Sequence, residues 1–249
     1  MKSGAQPAFV LHQWDWSETS LILELFTREQ GRVAVVAKGA KRPYSQLRAV
    51  LLPFQRIAVT LSRPKADEGS DILTLRAAEY AAGGVVLPAP RLFAGFYLNE
   101  LLMKLLARQD AHALLFDAYA ETLHALALGG EEEGPLRAFE LLLLRETGVL
   151  PDLACDTATQ QPVHPGRGYQ LRAEAGLVAF ADSALDGGQW LALQAALDAD
   201  DLEGLRISAP SVLAALKPQL RSLLHYHLGS PHLRTRAAML DVRRLLDKD

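Results

Sequence analysis

The stretch GRVAVVAKGAKRPYSQLR, residues 31–48, joins a short apolar strand to a loop rich in cations. Its first part, Val33–Ala37, has the alternation expected of a β-strand. The second part contains no acidic residue. Its four cations are Lys38, Lys41, Arg42 and Arg48. The stretch therefore predicts a cationic loop attached to a β-sheet.

Positive charge is concentrated around this loop. Residues 28–65 contain nine Lys or Arg and one acid, Glu29, although the whole chain has a net charge of −3. A local positive field of this kind is typical of a surface that binds a polyanion, and nucleic acid is the common one. The same segment supplies possible flanking phosphate contacts at Arg32, Arg56 and Arg63.

Length and composition predict an ordinary globular protein. The 249 residues are enough for two domains, and 49% hydrophobic with 22% charged residues is typical of a soluble chain. No apolar run approaches the roughly 20 residues of a membrane helix, and no secretory signal is evident. A single cysteine excludes an internal disulfide. We therefore expect a cytoplasmic protein without a membrane partner.

The residues around the opening stretch predict a β-domain over residues 1–80. Five short runs show period-two features, and five strands in about 70 residues favour a small closed barrel. Residues 28–31 predict a tight turn in which Gly31 has a positive φ. The gap from Lys38 to Pro53 is too long for a hairpin, and such loops are often functional. The runs are Ala8–Gln13, Ser20–Thr27, Arg32–Ala37, Gln55–Leu61 and Ile72–Ala77.

Residues 81–249 predict a second, mainly helical domain, which makes the whole chain α+β. Apolar residues recur at helical spacing, and Leu136–Thr147 is apolar nearly all round, as expected of a core helix. Residues 151–188 read as a small irregular insert with a hairpin formed by Gly168–Leu171 and Leu177–Phe180. Pro218 should kink or divide its helix. The other predicted helices are Arg91–Arg108, Leu114–Leu128, Gln189–Leu197, Ala209–Leu228 and Thr235–Leu246.

The residue pattern does not favour a metal site or a cofactor. Structural zinc needs four Cys or His ligands, whereas Cys155 stands alone with Ala158 where a second cysteine would be expected. His225, His227 and His232 could supply at most two ligands to one ion, because residues two apart on a helix point to different sides.

No catalytic motif is present either, so the chain is predicted not to be an enzyme. The nucleophile-elbow, zinc-protease and phosphate-loop patterns are all missing. Asp15 and Glu18 could form an acid and base pair, but hydrogen bonding at a strand edge is the simpler interpretation. Two rivals to nucleic-acid binding are an adaptor whose basic loop meets an acidic protein, and a hydrolase with an unrecognised site.

Aromatic residues near the cations suggest base stacking. A five-stranded barrel with cationic loops is a common platform for single-stranded nucleic acid, in which aromatic rings stack on bases. Trp14 and Trp16 would either stack on bases or close the barrel mouth. Tyr44 is the better candidate, since a tyrosine within a loop has less core to fill.

Eight short motifs follow one another in order over residues 8–150. They are Phe9-Val-Leu-His12, Glu18-Thr-Ser20, Phe26-Thr27, Gly31-Arg-Val33, Ala37-Lys-Gly-Ala40, Pro53-Phe54, Phe96-Tyr-Leu-Asn-Glu-Leu-Leu102 and Leu136-Arg-Ala-Phe-Glu140. Taken together, these motifs resemble the RecO family of bacterial DNA repair and recombination mediators. Beyond residue 150 only Cys155, the hairpin and the basic C-terminal helices are similar.

The resemblance implies an N-terminal OB-fold, a helical C-terminal domain and a non-catalytic role. Family members bind single- and double-stranded DNA, anneal complementary strands and help to load the RecA recombinase onto DNA coated by single-strand-binding protein (SSB), usually with the partner RecR. A location at the nucleoid follows. Many relatives carry a four-cysteine zinc site in the insert. Because this chain has a single cysteine, its insert must be held by packing alone.

The resemblance also implies docking of the acidic, aromatic-ended tail of SSB on the helical domain. Arg137 would pair with the terminal carboxylate, while Phe96, Tyr97 and Leu101 would form the pocket wall. The alternative is that Arg137 forms an intrahelical pair with Glu140.

A second basic region lies at the C-terminal end of the sequence. Residues 217–248 carry seven cations. Arg234 and Arg236 among them are expected to provide an auxiliary DNA surface.

Overall fold

The computed structural model describes residues 4–62, 72–229 and 233–246. The chain forms two compact units, residues 1–128 with 234–249, and residues 129–233. The predicted division at residue 80 separates strands from helices, whereas the compact units group three of the helices beyond residue 80 with the strands. Among the described residues, no helix is both long and apolar enough to cross a bilayer.

The first unit contains the predicted barrel. Its strands close in the order β1-β2-β3-β5-β4, with β4 pairing back onto β1 and with β3 parallel to β5. Alternate side chains, such as Leu23, Val35 and Leu73, fill the interior. This is the topology of an OB-like barrel, and it confirms the predicted fold class. The strands are β1 (Gln6–Asp15), β2 (Leu21–Thr27), β3 (Gly31–Ala37), β4 (Arg56–Ser62) and β5 (Ile72–Tyr80).

Four helices accompany the barrel in this unit. A short helix that the sequence did not predict, α1, lies between β3 and β4. A 3₁₀ turn at Ala89–Arg91 leads into α2. The helices are α1 (Leu47–Val50), α2 (Leu92–Leu105), α3 (Ala113–Leu128) and α8 (Arg234–Leu246).

A β-bulge in β1 changes which side chains face the barrel interior. The pairing of β1 with β2 shifts between Val10 and His12, which leaves Leu11 as an extra residue. Val10 lies in the core, and the extra residue turns His12 and Trp14 to the outer face. Without it, strict alternation would direct both side chains inward.

The carbonyl group of Leu11 is satisfied by a helix. Asn99 of α2 donates from Nδ2 to the Leu11 oxygen at 3.0 Å, and the Tyr119 hydroxyl of α3 donates to Asn99 Oδ1 at 2.5 Å. Burial raises the pKa of the Tyr119 hydroxyl well above its ordinary value, so it remains a donor at every physiological pH. Phe9 and Phe26 of the barrel pack against the Tyr119 ring, and Phe116 of α3 packs against both of these phenylalanines.

The turn between β2 and β3 abuts the connection between α2 and α3. Gly31 has φ +63°, as predicted, and a Cβ there would lie 1.6 Å from the carbonyl oxygen of Asp110. The N–H of Gln109 donates to the Arg32 oxygen at 2.8 Å. Any other residue at position 31 would therefore both strain the turn and separate it from the helices.

The first turn of α8 is bound to α2 by one carboxylate. Glu100 accepts from the N–H groups of Arg234 and Thr235, both at 2.9 Å. Burial alone would raise the pKa of Glu100, but these donors, the Thr235 hydroxyl and Lys104 together lower it below its ordinary value. A carboxylate at a helix N-terminus also complements the helix dipole.

The second unit is built on a buried helix. Helix α4 buries ten residues from Gly134 to Leu144, as the uniformly apolar pattern predicted. Helix α7 continues through Pro218, so the expected division of this helix is wrong. The helices are α4 (Glu133–Glu146), α5 (Gly187–Asp198), α6 (Leu202–Arg206) and α7 (Pro210–Leu228).

An ion pair lies within the buried surface of α4. Arg137 is 6% exposed and bonds to Glu140, which is 1% exposed, and it also lies 3.5 Å from Glu133. This is the intrahelical pair that the sequence left as the alternative role of Arg137. Because both groups are removed from water, each depends on the charge of the other.

The insert is stabilised by hydrogen bonds and packing. Trp190 of α5 is fully buried and donates from Nε1 to the Tyr169 oxygen at 3.1 Å. The buried Asp156 carboxylate accepts from the N–H groups of Ala158 and Thr159 at the turn that follows Cys155. Two strand pairs form here, β6 (Cys155–Asp156) with β7 (Gln161–Pro162), and the predicted hairpin β8 (Tyr169–Arg172) with β9 (Gly176–Ala179).

Replacing Asn99 tests the hydrogen bonds that link the bulge in β1 to helices α2 and α3. We expect Asn99→Ala to lower the free energy of unfolding by about 1–3 kcal/mol, because it removes the amide between two buried polar groups. Urea unfolding followed by circular dichroism measures the change. The matched control is Glu121→Ala, at an exposed position of α3, which should change stability by less than about 0.5 kcal/mol. Equal effects of the two substitutions would contradict the assignment.

Replacing Arg137 tests the buried ion pair. We expect Arg137→Ala to destabilise the protein by about 3–5 kcal/mol, since the Glu140 carboxylate would stay in the core without this cation. The double variant Arg137→Met with Glu140→Leu should recover most of the loss, because it removes both charges. Denaturant unfolding of the three proteins decides the matter. A double variant as unstable as the single one would show that packing, and not charge, is lost.

The Glu100 contact predicts a pH dependence. Since its folded-state pKa is lowered, its contribution to stability is fully present above the ordinary glutamate value of 4.5 and is lost as the pH falls through the lower folded value. Wild type should therefore exceed Glu100→Gln in unfolding free energy at pH 7, and by less at pH 3. A difference that is the same at both pH values would refute this role.

Candidate nucleic-acid interface

The segment from Lys38 to Arg48, which follows β3 and ends within α1, exposes three cations and an aromatic ring. Lys38, Arg42 and Arg48 are exposed, and Tyr44 is 100% exposed. The loop is shaped by turns, in which the Arg42 N–H donates to the Gly39 oxygen and the Ser45 N–H donates to the Arg42 oxygen. No acidic residue occurs between positions 38 and 48. Of the four predicted cations of this segment, the structure thus exposes Lys38, Arg42 and Arg48, whereas Lys41 is half-buried.

Lys41 has partners within the protein. Its ammonium group lies 3.1 Å from the Asp15 carboxylate and donates to the Ser17 oxygen at 3.1 Å. Its backbone N–H donates to the Thr19 oxygen at 3.0 Å. Lys41 therefore joins the cationic loop to the turn between β1 and β2, and its role as a phosphate contact stays a prediction.

Arg32 does not lie on the open surface that the sequence suggested. It donates from Nη1 to the Met103 oxygen at 2.8 Å. Burial lowers the pKa of its guanidinium group, an effect that the Glu24 carboxylate opposes and Arg108 reinforces. Arg108 itself pairs with the buried Glu24. The predicted flanking contact is therefore part of the contact between the barrel and the connection of α2 to α3.

The remaining predicted cations differ in how accessible they are. Arg56 is half-buried, with its guanidinium 5.9 Å from the centre of the Phe116 ring. Arg234 is exposed at the start of α8. Arg63 and the side chain of Arg236 lie outside the described part of the structure.

The residues predicted for tail docking divide into exposed and buried ones. Phe96 is 42% exposed with its ring 5.0 Å from that of Phe54, and Tyr97 is half-buried. Leu101 is fully buried in the core, and Arg137 takes part in the ion pair within α4. Leu101 therefore cannot form the wall of a surface pocket, and the charge of Arg137 is already compensated.

An exposed row of side chains on the barrel was missed by the sequence reasoning. Strand register aligns Trp14 with Ile22, Ile22 with Val36, and Val36 with Thr74. All four side chains point away from the barrel core and are at least partly exposed. A period-two pattern shows which residues of one strand share a face, but it does not reveal a bulge such as that at Leu11. The sequence therefore could not decide on which face of the barrel Trp14 lies.

Arg76 was missed as well. It is exposed on β5 at a second register shift, where it donates to Ser62 Oγ at 2.6 Å. No sequence pattern marks it, because it lies outside the cation-rich segment.

The described residues offer little to support metal or acid–base chemistry. No group of three or more His, Cys, Asp or Glu side chains in residues 4–62, 72–229 and 233–246 is placed to hold a metal ion. Asp15, considered above as a possible acid or base, is paired with Lys41. The exposed cations of the described surface can attract an extended anion, and the exposed Tyr44 ring can stack on a flat group of that ligand.

Comparison with known proteins covers nearly the whole chain. Residues 1–82 match the family model "Recombination protein O N terminal", and residues 89–237 match "Recombination protein O C terminal". Similar proteins include DNA repair protein RecO of Verminephrobacter eiseniae, 53% identical over 96% of both chains. DNA repair protein RecO of Acidovorax ebreus is 51% identical over 96% of this chain and 97% of its own length. With both halves matched and nearly complete coverage, the chain belongs to the RecO family of DNA repair proteins.

Proposed function

We propose that this RecO-family protein binds single- and double-stranded DNA through Lys38, Arg42 and Arg48. The observation that carries the proposal is the exposure of all three cations, with Tyr44 among them and no acid in the loop. Exposed Lys and Arg side chains can follow a phosphate backbone because both are long and charged at neutral pH. Arg234, exposed at the start of α8, is proposed as an auxiliary contact.

Strand annealing follows from the same charges. Two DNA strands repel each other through their phosphates, and a cationic surface that neutralises both lowers this repulsion. Complementary bases can then meet without any bond being made or broken in the backbone. Assistance in loading RecA onto SSB-coated strands is the corresponding role proposed within repair and recombination.

RecR and SSB are proposed as protein partners on the basis of the family resemblance. For the acidic tail of SSB, the exposed Phe96 and its neighbour Tyr97 remain the proposed contacts. Neither Leu101 nor Arg137 is retained, since both are buried and Arg137 already pairs with Glu140. The cation for the tail carboxylate is therefore not assigned.

Charge reversal tests the DNA site. We expect the triple variant Lys38→Glu, Arg42→Glu and Arg48→Glu to lose most binding to single and double strands. Wild-type affinity for single strands should fall as the salt concentration rises, and each phosphate contact contributes about −0.7 to the slope of log affinity against log salt. A second variant, with neutral residues at these three positions, should therefore have a slope that is smaller in magnitude by roughly 2. Fluorescence anisotropy with labelled oligonucleotides between 50 and 200 mM salt measures both quantities.

Two controls make this test specific. Arg167→Glu reverses an equally exposed cation in the second unit and should leave DNA affinity nearly unchanged. Thermal unfolding of the triple variant should match wild type, because exposed charges contribute little to folding. Retained DNA binding by a correctly folded triple variant would move the site away from the loop. A flat salt response in wild type would instead favour an adaptor that meets an acidic protein.

A further inference from the structure

We infer that Trp14 and Trp16, with the outer row of the barrel beside them, form a stacking face for the bases of single-stranded nucleic acid. This inference rests on the proposed binding of DNA by the cationic loop. It goes further by assigning the residues that distinguish single strands from duplexes.

The first observation is an apolar row that the helices leave open. Trp14 is 41% exposed, and its cross-strand neighbours Ile22 and Val36 are partly exposed on the same outer face. Elsewhere on the outer face, Phe9 and Phe26 pack against aromatic residues of α3. The row next to Trp14 is thus a part of the described outer face that the helices leave accessible.

The second observation is that the Trp14 ring is held in place. The His12 ring contacts it edge to face, with the ring centres 4.4 Å apart and an angle of 79° between the planes. Both side chains face outward because of the bulge at Leu11. A ring that is already oriented loses less conformational freedom when a base stacks on it.

The third observation is the exposure of Trp16 on an ordered turn. Trp16 is 61% exposed. The turn is closed by its N–H, which donates to the Ser20 oxygen at 3.1 Å, and by the Ser20 N–H, which donates to Ser17 Oγ. Two neighbouring tryptophans left in water form the kind of exposed apolar surface that marks a binding site.

The fourth observation identifies the occupant. Lys41 connects the tryptophan-bearing turn to the cationic loop through Asp15, Ser17 and Thr19. Rings and exposed cations therefore occupy adjacent parts of one surface, which matches a ligand with flat apolar groups along an anionic backbone. Unpaired nucleic acid has that chemistry, whereas a duplex hides the faces of its bases. The loop between the first two strands is also a site that OB-folds use for oligonucleotides.

The test compares the double variant Trp14→Ala and Trp16→Ala with wild type on a thymidine oligonucleotide and on a duplex of equal length. We expect single-strand affinity to fall about ten- to a hundredfold, while duplex affinity changes less than about threefold. The salt slope should stay the same, because no phosphate contact is removed. The double variant Trp14→Phe and Trp16→Phe keeps flat rings and should retain most single-strand affinity.

Intrinsic fluorescence gives an independent readout. The chain has three tryptophans, and the third, Trp190, is fully buried and bonded to Tyr169. Quenching of wild-type fluorescence by the thymidine oligonucleotide should therefore disappear in the Phe double variant, although that variant still binds.

The outcomes separate this inference from the proposed function. If reversal of the loop charges weakens both DNA forms but the Ala variant binds single strands like wild type, the stacking face is refuted and the cationic site stands. Equal losses on single strands and duplexes would also overturn it. If wild type binds neither DNA form, the proposed function and the stacking face fail together.

Discussion

A backbone carbonyl within a barrel wall needs a hydrogen-bond donor. At the bulge the Leu11 residue has no partner on β2, and a side chain of α2 supplies the donor instead. Asn99 satisfies the Leu11 oxygen, and Tyr119 satisfies Asn99, so three elements share one buried polar chain. Such a chain is costly to leave incomplete in a low-dielectric interior. The outward direction of Trp14 depends on this bulge. One local irregularity therefore contributes both to the attachment of α2 and α3 to the barrel and to the exposure of Trp14.

The cations of the N-terminal segment have different physical roles despite their similar sequence context. Arg32 and Arg56 are half-buried and Lys41 is paired with Asp15, whereas Lys38, Arg42 and Arg48 are exposed. Buried or paired cations still add to the local positive potential, because an electric field extends beyond direct contacts. Charge counting thus identifies a candidate region, whereas contacts within the fold decide which of its groups are open to a phosphate.

The barrel, the core helix α4 and the hairpin of the insert were predictable because each depends on local periodicity. The exposure of the 38–48 loop was predictable as well, because its sequence has no periodic apolar residues that would pack into a core. What could not be predicted arises from contacts between distant residues. No residue pattern near Leu11 predicts a bulge whose carbonyl group bonds to Asn99. The hydrogen-bond partner of Arg32 likewise lies about 70 residues away in the sequence. Arg137 illustrates a third situation, in which two roles were foreseen and burial of the helix selected one.

The contact of α8 with Glu100 means that the first compact unit begins and ends the chain, with residues 129–233 inserted between its parts. On the ribosome, α2 emerges long before the helix that will pack on it. At about 5–20 residues per second, the roughly 130 residues between the end of α2 and the start of α8 take roughly 6–26 s to synthesise. During that interval the surface of α2 around Glu100 stays open to chaperones and proteases. A chain truncated before residue 234 would keep this surface open permanently, which gives the cell a physical basis for removing incomplete copies.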